Sequence, residues 1–166
     1  KILISAGSFD KKKNFFLLYN VFKYLIANHD IKLVILGDGP DRNKILNQAK
    51  KDRIAEHLFL PGFVTNPIDY FYLSDVFILT SLWEGFGNVL VESLYAKLPI
   101  VSVNCPGGPK DIIGDNKFGV LVKDYNIENI ANEVVSILTK QKNYDFLKIR
   151  SLDYTVEKIA EKYLKI

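Results

Sequence analysis

Val76-Phe77-Ile78-Leu79, then Trp83-Glu84-Gly85-Phe86-Gly87-Asn88-Val89-Leu90-Val91-Glu92, is the stretch that decides the fold. The first four residues are continuously apolar and too few for a buried helix, so they read as a strand covered on both faces. From Asn88 to Lys97 the apolar positions take helical spacing. Gly85 and Gly87 sit where strand gives way to helix. A strand, a glycine turn and a helix N-terminus present unpaired amides and the positive end of a dipole, which suits phosphate. Glu84 and Glu92 stand eight positions apart around that turn. Carboxylates accept hydrogen bonds from hydroxyls and repel phosphate. The stretch therefore points to a ligand carrying both phosphates and sugar hydroxyls.

At about 100° per residue, Leu90, Val91, Leu94 and Leu98 share the core flank of the helix. Asn88 and Glu92 share another flank, which leaves Glu92 off the core and one turn from the phosphate end. A plainer reading makes Glu84 a solvated loop acid and Glu92 an early acid favoured by the helix dipole. Spacing does not separate the two readings.

The same alternation extends in both directions. Ile2–Ala6, Leu33–Leu36, His57–Leu60, Ile100–Val103 and Gly119–Val122 read as further strands. Helical patterns cover Phe15–Asn28, Asp41–Lys50, Ile68–Ser74, Pro109–Ile113, a helix after Asn126, Tyr144–Arg150 and Thr155–Leu164. Asn14 and Asn126 are suitable N-caps. Six strands that look buried on both faces, alternating with helices, predict an α/β fold: a Rossmann-like parallel sheet with helices on both sides. Ligands bind beyond the carboxyl ends of such strands. That directs attention to the loops Gly7–Asn14, Gly37–Pro40, Pro61–Pro67, Thr80–Asn88 and Asn104–Gly108.

Within those loops, Gly7 and Lys13 offer a backbone bend and an ammonium for a diphosphate, although Lys13 is also one of three consecutive lysines. Gly37-Asp38-Gly39-Pro40 reads first as a turn. Phe63-Val64-Thr65 suits a planar base, or merely packs Phe63. No Cys/His cluster has metal-ligand spacing, and no P-loop or nucleophile elbow is present in the sequence.

Composition narrows the partners. The 166 residues suffice for one domain with a sizeable core, and a net charge of +3 gives no case for nucleic acid. The single Cys105 has no internal partner, so a reducing, cytoplasmic compartment is expected. No apolar run is long enough to span a membrane. The chain has no Met and opens directly on a strand pattern, from which we expect a piece of a longer protein.

Glu84 to Leu94 resembles the E-x7-E motif of the family 4 (group 1) glycosyltransferases. Ala96-Lys97-Leu98-Pro99-Ile100-Val101, Leu36-Gly37-Asp38-Gly39-Pro40, Phe59-Leu60-Pro61-Gly62-Phe63-Val64, Gly119–Val122 and Asn104–Ile113 resemble further segments of that family, in the family's order. The resemblance implies one half of a GT-B architecture: residues 1–166 as the C-terminal, donor-binding domain of a two-domain enzyme. The acceptor-binding N-terminal domain would be missing. It implies retaining transfer from a nucleotide-diphosphate sugar, UDP-sugar favoured, to a glycan or lipid-linked acceptor. No cofactor or metal is expected. Such an enzyme of polysaccharide and cell-envelope biosynthesis would be cytoplasmic or peripheral on the inner face of the membrane.

By the family pattern Glu92 holds the ribose hydroxyls and Glu84, with Lys13, carries the catalytic work. Gly85, Phe86, Gly87, Asn88 and Val89 face sugar and phosphate, Gly7, Ser8 and Lys13 the diphosphate, and Gly37, Phe63 and Val64 the base side. There is one departure. The family usually has Gly-Arg where this chain has Gly7-Ser8, five residues before Lys13, which leaves Lys11 or Lys12 as substitutes. Two other classes remain open: a UDP-sugar epimerase of GT-B shape and a non-catalytic flavodoxin-like binding module.

Overall fold

A computed structural model describes residues 1–140 and 143–164. Six strands form one sheet: β1 Ile2–Ala6, β2 Lys32–Leu36, β3 Leu58–Gly62, β4 Val76–Leu79, β5 Ile100–Val103 and β6 Val120–Val122. Eight α-helices accompany them among the described residues: α1 Phe15–Ile26, α2 Arg42–Lys51, α3 Pro67–Tyr72, α4 Asn88–Tyr95, α5 Pro109–Ile113, α6 Ile127–Thr139, α7 Asp145–Ser151 and α8 Val156–Leu164.

Every strand pair is parallel, and the order across the sheet is β3-β2-β1-β4-β5-β6. This is the doubly wound Rossmann order, with its reversal between β1 and β4. A flavodoxin-like sheet has a different order, so that alternative is excluded by topology.

Burial follows position in the sheet. β4 and β5 are buried at every residue, and β1 at all but its first, because helices cover both faces. The expectation of two-sided burial fails at the two edges. β3 alternates buried and more exposed residues, and β6 is only partly covered. β3 also continues through Pro61, which was expected to end it. A missing N–H is tolerated on an edge strand.

One core lies between the sheet and α1, α2 and α6, centred on Leu18, Phe22, Ile45 and Val134. The other lies under α3, α4, α5 and α7, with Phe71, Leu90, Leu94, Ile112 and Leu147. Leu90, Leu94 and Leu98 are buried as the helical spacing predicts, whereas Val91 is only partly so. Asn126 caps α6 by accepting from Asn129 N–H at 3.0 Å. Asn14 does not cap α1 with its side chain. It takes a left-handed backbone, φ 51°, a conformation Asn tolerates better than most residues. That turn brings residues 12–14 against the loop after β4. There Leu82 N–H donates to Lys12 O at 2.8 Å, and the Thr80 hydroxyl bonds the carbonyls of Lys13 and Asn14 at 3.2 Å.

Candidate active site at the switch point

The loops after β1 and β4 meet where the strand order reverses. A cavity of about 410 Å³ opens there, lined by Gly7, Ser8, Gly37, Asp38, Phe63, Val64, Val89 and Glu92, with Ala6, Leu36 and Pro67 adding apolar surface. Close backbone approach shapes it. A Cβ built on Gly37, whose φ is 122°, would lie 2.0 Å from Gly7 O, so only glycine lets the loops after β1 and β2 touch. Phe63 is 81% exposed, a flat apolar surface at the rim.

Beside the cavity, Lys13 and Glu84 form an ion pair across 71 residues of sequence. Lys13 Nζ donates to Glu84 Oε1 at 2.7 Å, and Ser81 Oγ donates to the same oxygen at 2.6 Å. The Glu84 side chain is only 4% exposed. Burial by itself would raise its pKa. The hydrogen bonds from Lys13 and Ser81, with the positive charges of Lys13 and Lys12, outweigh burial and hold the carboxyl below its ordinary value. Glu84 is therefore a firmly ionised buried group, and the solvated-acid reading does not hold. Gly7 joins this cluster to the cavity: a Cβ there would meet Lys13 Cε at 2.5 Å.

The backbone on either side of Glu84 is held by the loop after β5. Glu84 N–H donates to Pro106 O at 2.9 Å, and Gly108 N–H donates to Gly85 O at 2.8 Å. A Cβ on Gly107 would come within 2.0 Å of Glu84 O, which explains the glycine. Cys105, 3% exposed, lies in this loop. Burial and the Glu84 charge both push its thiol pKa up, so it stays protonated and inert.

Glu92 has the opposite surroundings. It lines the cavity from the second turn of α4, half-buried, and burial alone raises its pKa. No charged or hydrogen-bonded partner meets its carboxylate among the described residues. One turn before it, Gly87 caps α4 in a left-handed conformation, φ 90°; Leu90 N–H donates back to Gly87 O at 2.9 Å, and the amides of Asn88 and Val89 precede it at the helix end.

Seven of the residues expected from sequence line the cavity: Gly7, Ser8, Gly37, Phe63, Val64, Val89 and Glu92. Lys13 and Glu84 stand beside it, paired with each other. Gly85, Phe86, Gly87 and Asn88 form the adjoining turn and do not line the cavity. The Phe86 ring packs edge-to-face on Tyr154, with centroids 5.3 Å apart. Of the five residues Gly85 to Val89 expected to face the ligand, Val89 alone lines the cavity. Ser81 carried no recognisable signal, since a single serine after a strand is commonplace. Asp38 sat in a loop that reads first as a turn. Among the described residues no three His, Cys, Asp or Glu side chains gather into a metal-ligand group. No described helix is long and apolar enough to cross a membrane.

A sheet of Rossmann order thus carries, at its switch point, a cavity, one ion-paired glutamate and one unpartnered glutamate. Residues 1–151 match the family described as Glycosyl transferases group 1, and the chain belongs to that family. A Campylobacter jejuni protein, N-acetylgalactosamine-N,N'-diacetylbacillosaminyl-diphospho-undecaprenol 4-alpha-N-acetylgalactosaminyltransferase, is 34% identical over 142 residues, covering 86% of this chain and 38% of that protein. The poly(ribitol-phosphate) alpha-N-acetylglucosaminyltransferase of Staphylococcus aureus is 30% identical over 133 residues, covering 80% of this chain and 26% of its own. A crystal structure of S. aureus TarM in complex with fondaparinux, alpha-GlcNAc-glycerol and UDP has a TM-score of 0.86 at 26% identity, over 99% of this chain and 35% of that one. The chain thus spans well under half the length of each.

Proposed function

We propose that this chain is the donor-binding domain of a retaining glycosyltransferase that takes a nucleotide-diphosphate sugar, a UDP-sugar in preference. The observation that carries the reading is the pairing, at one switch-point cavity, of an unpartnered half-buried Glu92 with an ion-paired Glu84–Lys13. Glu92 accepts the ribose hydroxyls. Phe63 and Val64 lie along the base. Gly7, Ser8 and the amides of Asn88 and Val89 face the diphosphate. Glu84 meets the hydroxyls of the sugar, and Lys13 balances the charge that grows on the leaving diphosphate.

As the bond from the anomeric carbon breaks, its electron pair goes to the β-phosphate oxygen. A fixed ammonium and oriented amides stabilise that charge more than they stabilise the ground state. In this reading the chain's own cations, with no metal, supply the neutralisation. The UDP in the TarM structure supports the nucleotide assignment. The diphospho-undecaprenol in the name of the Campylobacter relative supports a lipid-linked acceptor in envelope polysaccharide synthesis. An N-terminal partner domain would hold that acceptor, on the cytoplasmic face of the membrane.

Calorimetric titration with UDP-, GDP- and ADP-sugars tests the donor assignment. One UDP-sugar site per chain is expected. Heat from none of the three would overturn it.

A further inference from the structure

The first loop carries three consecutive lysines and, at position 8, a serine where an arginine was expected. Their placement separates them. Lys12 Nζ stands 3.5 Å from Glu84 Oε2, while Lys13 Nζ holds Oε1 at 2.7 Å, so the two ammoniums sit on opposite oxygens of one carboxylate. Lys11 is exposed and makes no ion pair among the described residues. The Ser8 hydroxyl donates to Asp10, and Asp10 also accepts Lys13 N–H at 3.2 Å, which closes the turn that presents residues 12 and 13. The carbonyls of both lysines are bonded to the loop before Glu84, so both side chains leave an anchored backbone.

We propose that Lys12 is the second cation of the diphosphate site, supplying the charge that Ser8 cannot. The inference rests on the donor-site reading above. The two lysines share one buried carboxylate beside the cavity, and the second acid near Lys12, Asp10, is already engaged by the Ser8 hydroxyl and the Lys13 amide. The two are not equivalent. Lys13 is 12% exposed and tightly bonded, whereas Lys12 is 34% exposed with its longer contact. Lys12 therefore moves onto an incoming phosphate oxygen without breaking a short hydrogen bond. Glu84 acts as the counter-ion that stops two neighbouring ammoniums from repelling each other before the ligand arrives. An ammonium reaches phosphate as a point charge, without the two-pronged geometry of a guanidinium. Affinity from Lys12 should therefore follow charge and salt more than geometry.

The test is titration of the full chain with UDP, UMP and uridine, in wild type and in Lys12→Gln, Lys11→Gln and the double variant Ser8→Arg/Lys12→Gln. We expect Lys12→Gln to weaken UDP at least about fivefold, near 1 kcal/mol, with a shallower salt dependence. Uridine affinity should not change, and Lys11→Gln should bind UDP as wild type does. Ser8→Arg should restore the UDP affinity of Lys12→Gln, which a merely structural role for Lys12 would not allow. Unchanged UDP affinity in Lys12→Gln, or an equal loss for uridine, overturns the role of Lys12 alone. A wild-type chain that binds none of the three overturns the donor site itself.

Discussion

Glu84 and Glu92 are eight residues apart, and their environments are opposed. Glu84 is buried, accepts from Lys13 and Ser81, and is held ionised below the ordinary carboxyl range. Glu92 is half-buried at a cavity wall, lacks a partner among the described residues, and is pushed up by burial. The difference teaches which acid the fold satisfies and which it leaves for a ligand. A satisfied carboxylate holds its surroundings in place. An unsatisfied one carries a cost in the free protein, and that cost is relieved by protonation or by a ligand that donates to it.

The sharpest way to break the contrast is Glu84→Ala. It strips the acceptor from a buried serine and from a lysine whose side chain is 12% exposed. We expect a loss of about 2–4 kcal/mol of stability, read as a lower denaturant midpoint at constant slope. A loss under about 0.5 kcal/mol would mean the pair does not organise the loop. Lys13→Ala comes next. In the full enzyme it should lower kcat/KM at least about tenfold, or ~1.4 kcal/mol in the barrier. An unchanged kcat/KM would remove Lys13 from the reaction.

Much of this contrast was legible in the sequence, and its missing part has a physical cause. Strand–turn–helix chemistry is local, so the parallel sheet, the start of α4 and both glutamates could be read directly. The Lys13–Glu84 bond joins residues 71 apart, and no periodicity reports such a contact. Lys12 meets Glu84 only because β1 and β4 lie side by side, whereas Ser81, three residues before Glu84, is a local contact in an irregular loop that no periodicity reports. The left-handed turn at Asn14 was equally hidden, because an asparagine before a helix reads first as a side-chain cap. Edge position is also a property of the whole sheet, which is why the exposure of β3 and its passage through Pro61 were missed.

Glu92→Gln tests the other side of the comparison with a smaller effect of opposite sign. Removing an ionisable group from a half-buried, unpartnered site should raise the stability of the free protein by up to about 1 kcal/mol at neutral pH. The same change should weaken UDP binding. A destabilised Glu92→Gln would show that the carboxylate is satisfied in the free fold. An unaltered Kd for UDP would sink the ribose assignment.

The finest test is the order in which the two acids titrate. Glu84 lies below its ordinary 4.5, so its stabilisation is present above that value and is lost as pH falls through its lowered pKa. Glu92 lies above 4.5, so the fold favours its protonated form, and stability from that source fades as pH rises through the raised pKa. Between the two, Glu92 is neutral while the Glu84–Lys13 pair is intact. Acidification should therefore weaken nucleotide binding before it weakens the fold. Carboxyl NMR should show Glu92 titrating at higher pH than Glu84, and saturating UDP should move Glu92 downward, because hydroxyls that donate to a carboxylate favour its charged form. A Glu92 titration that UDP leaves unmoved would mean that the ligand does not meet this acid, whatever the affinity.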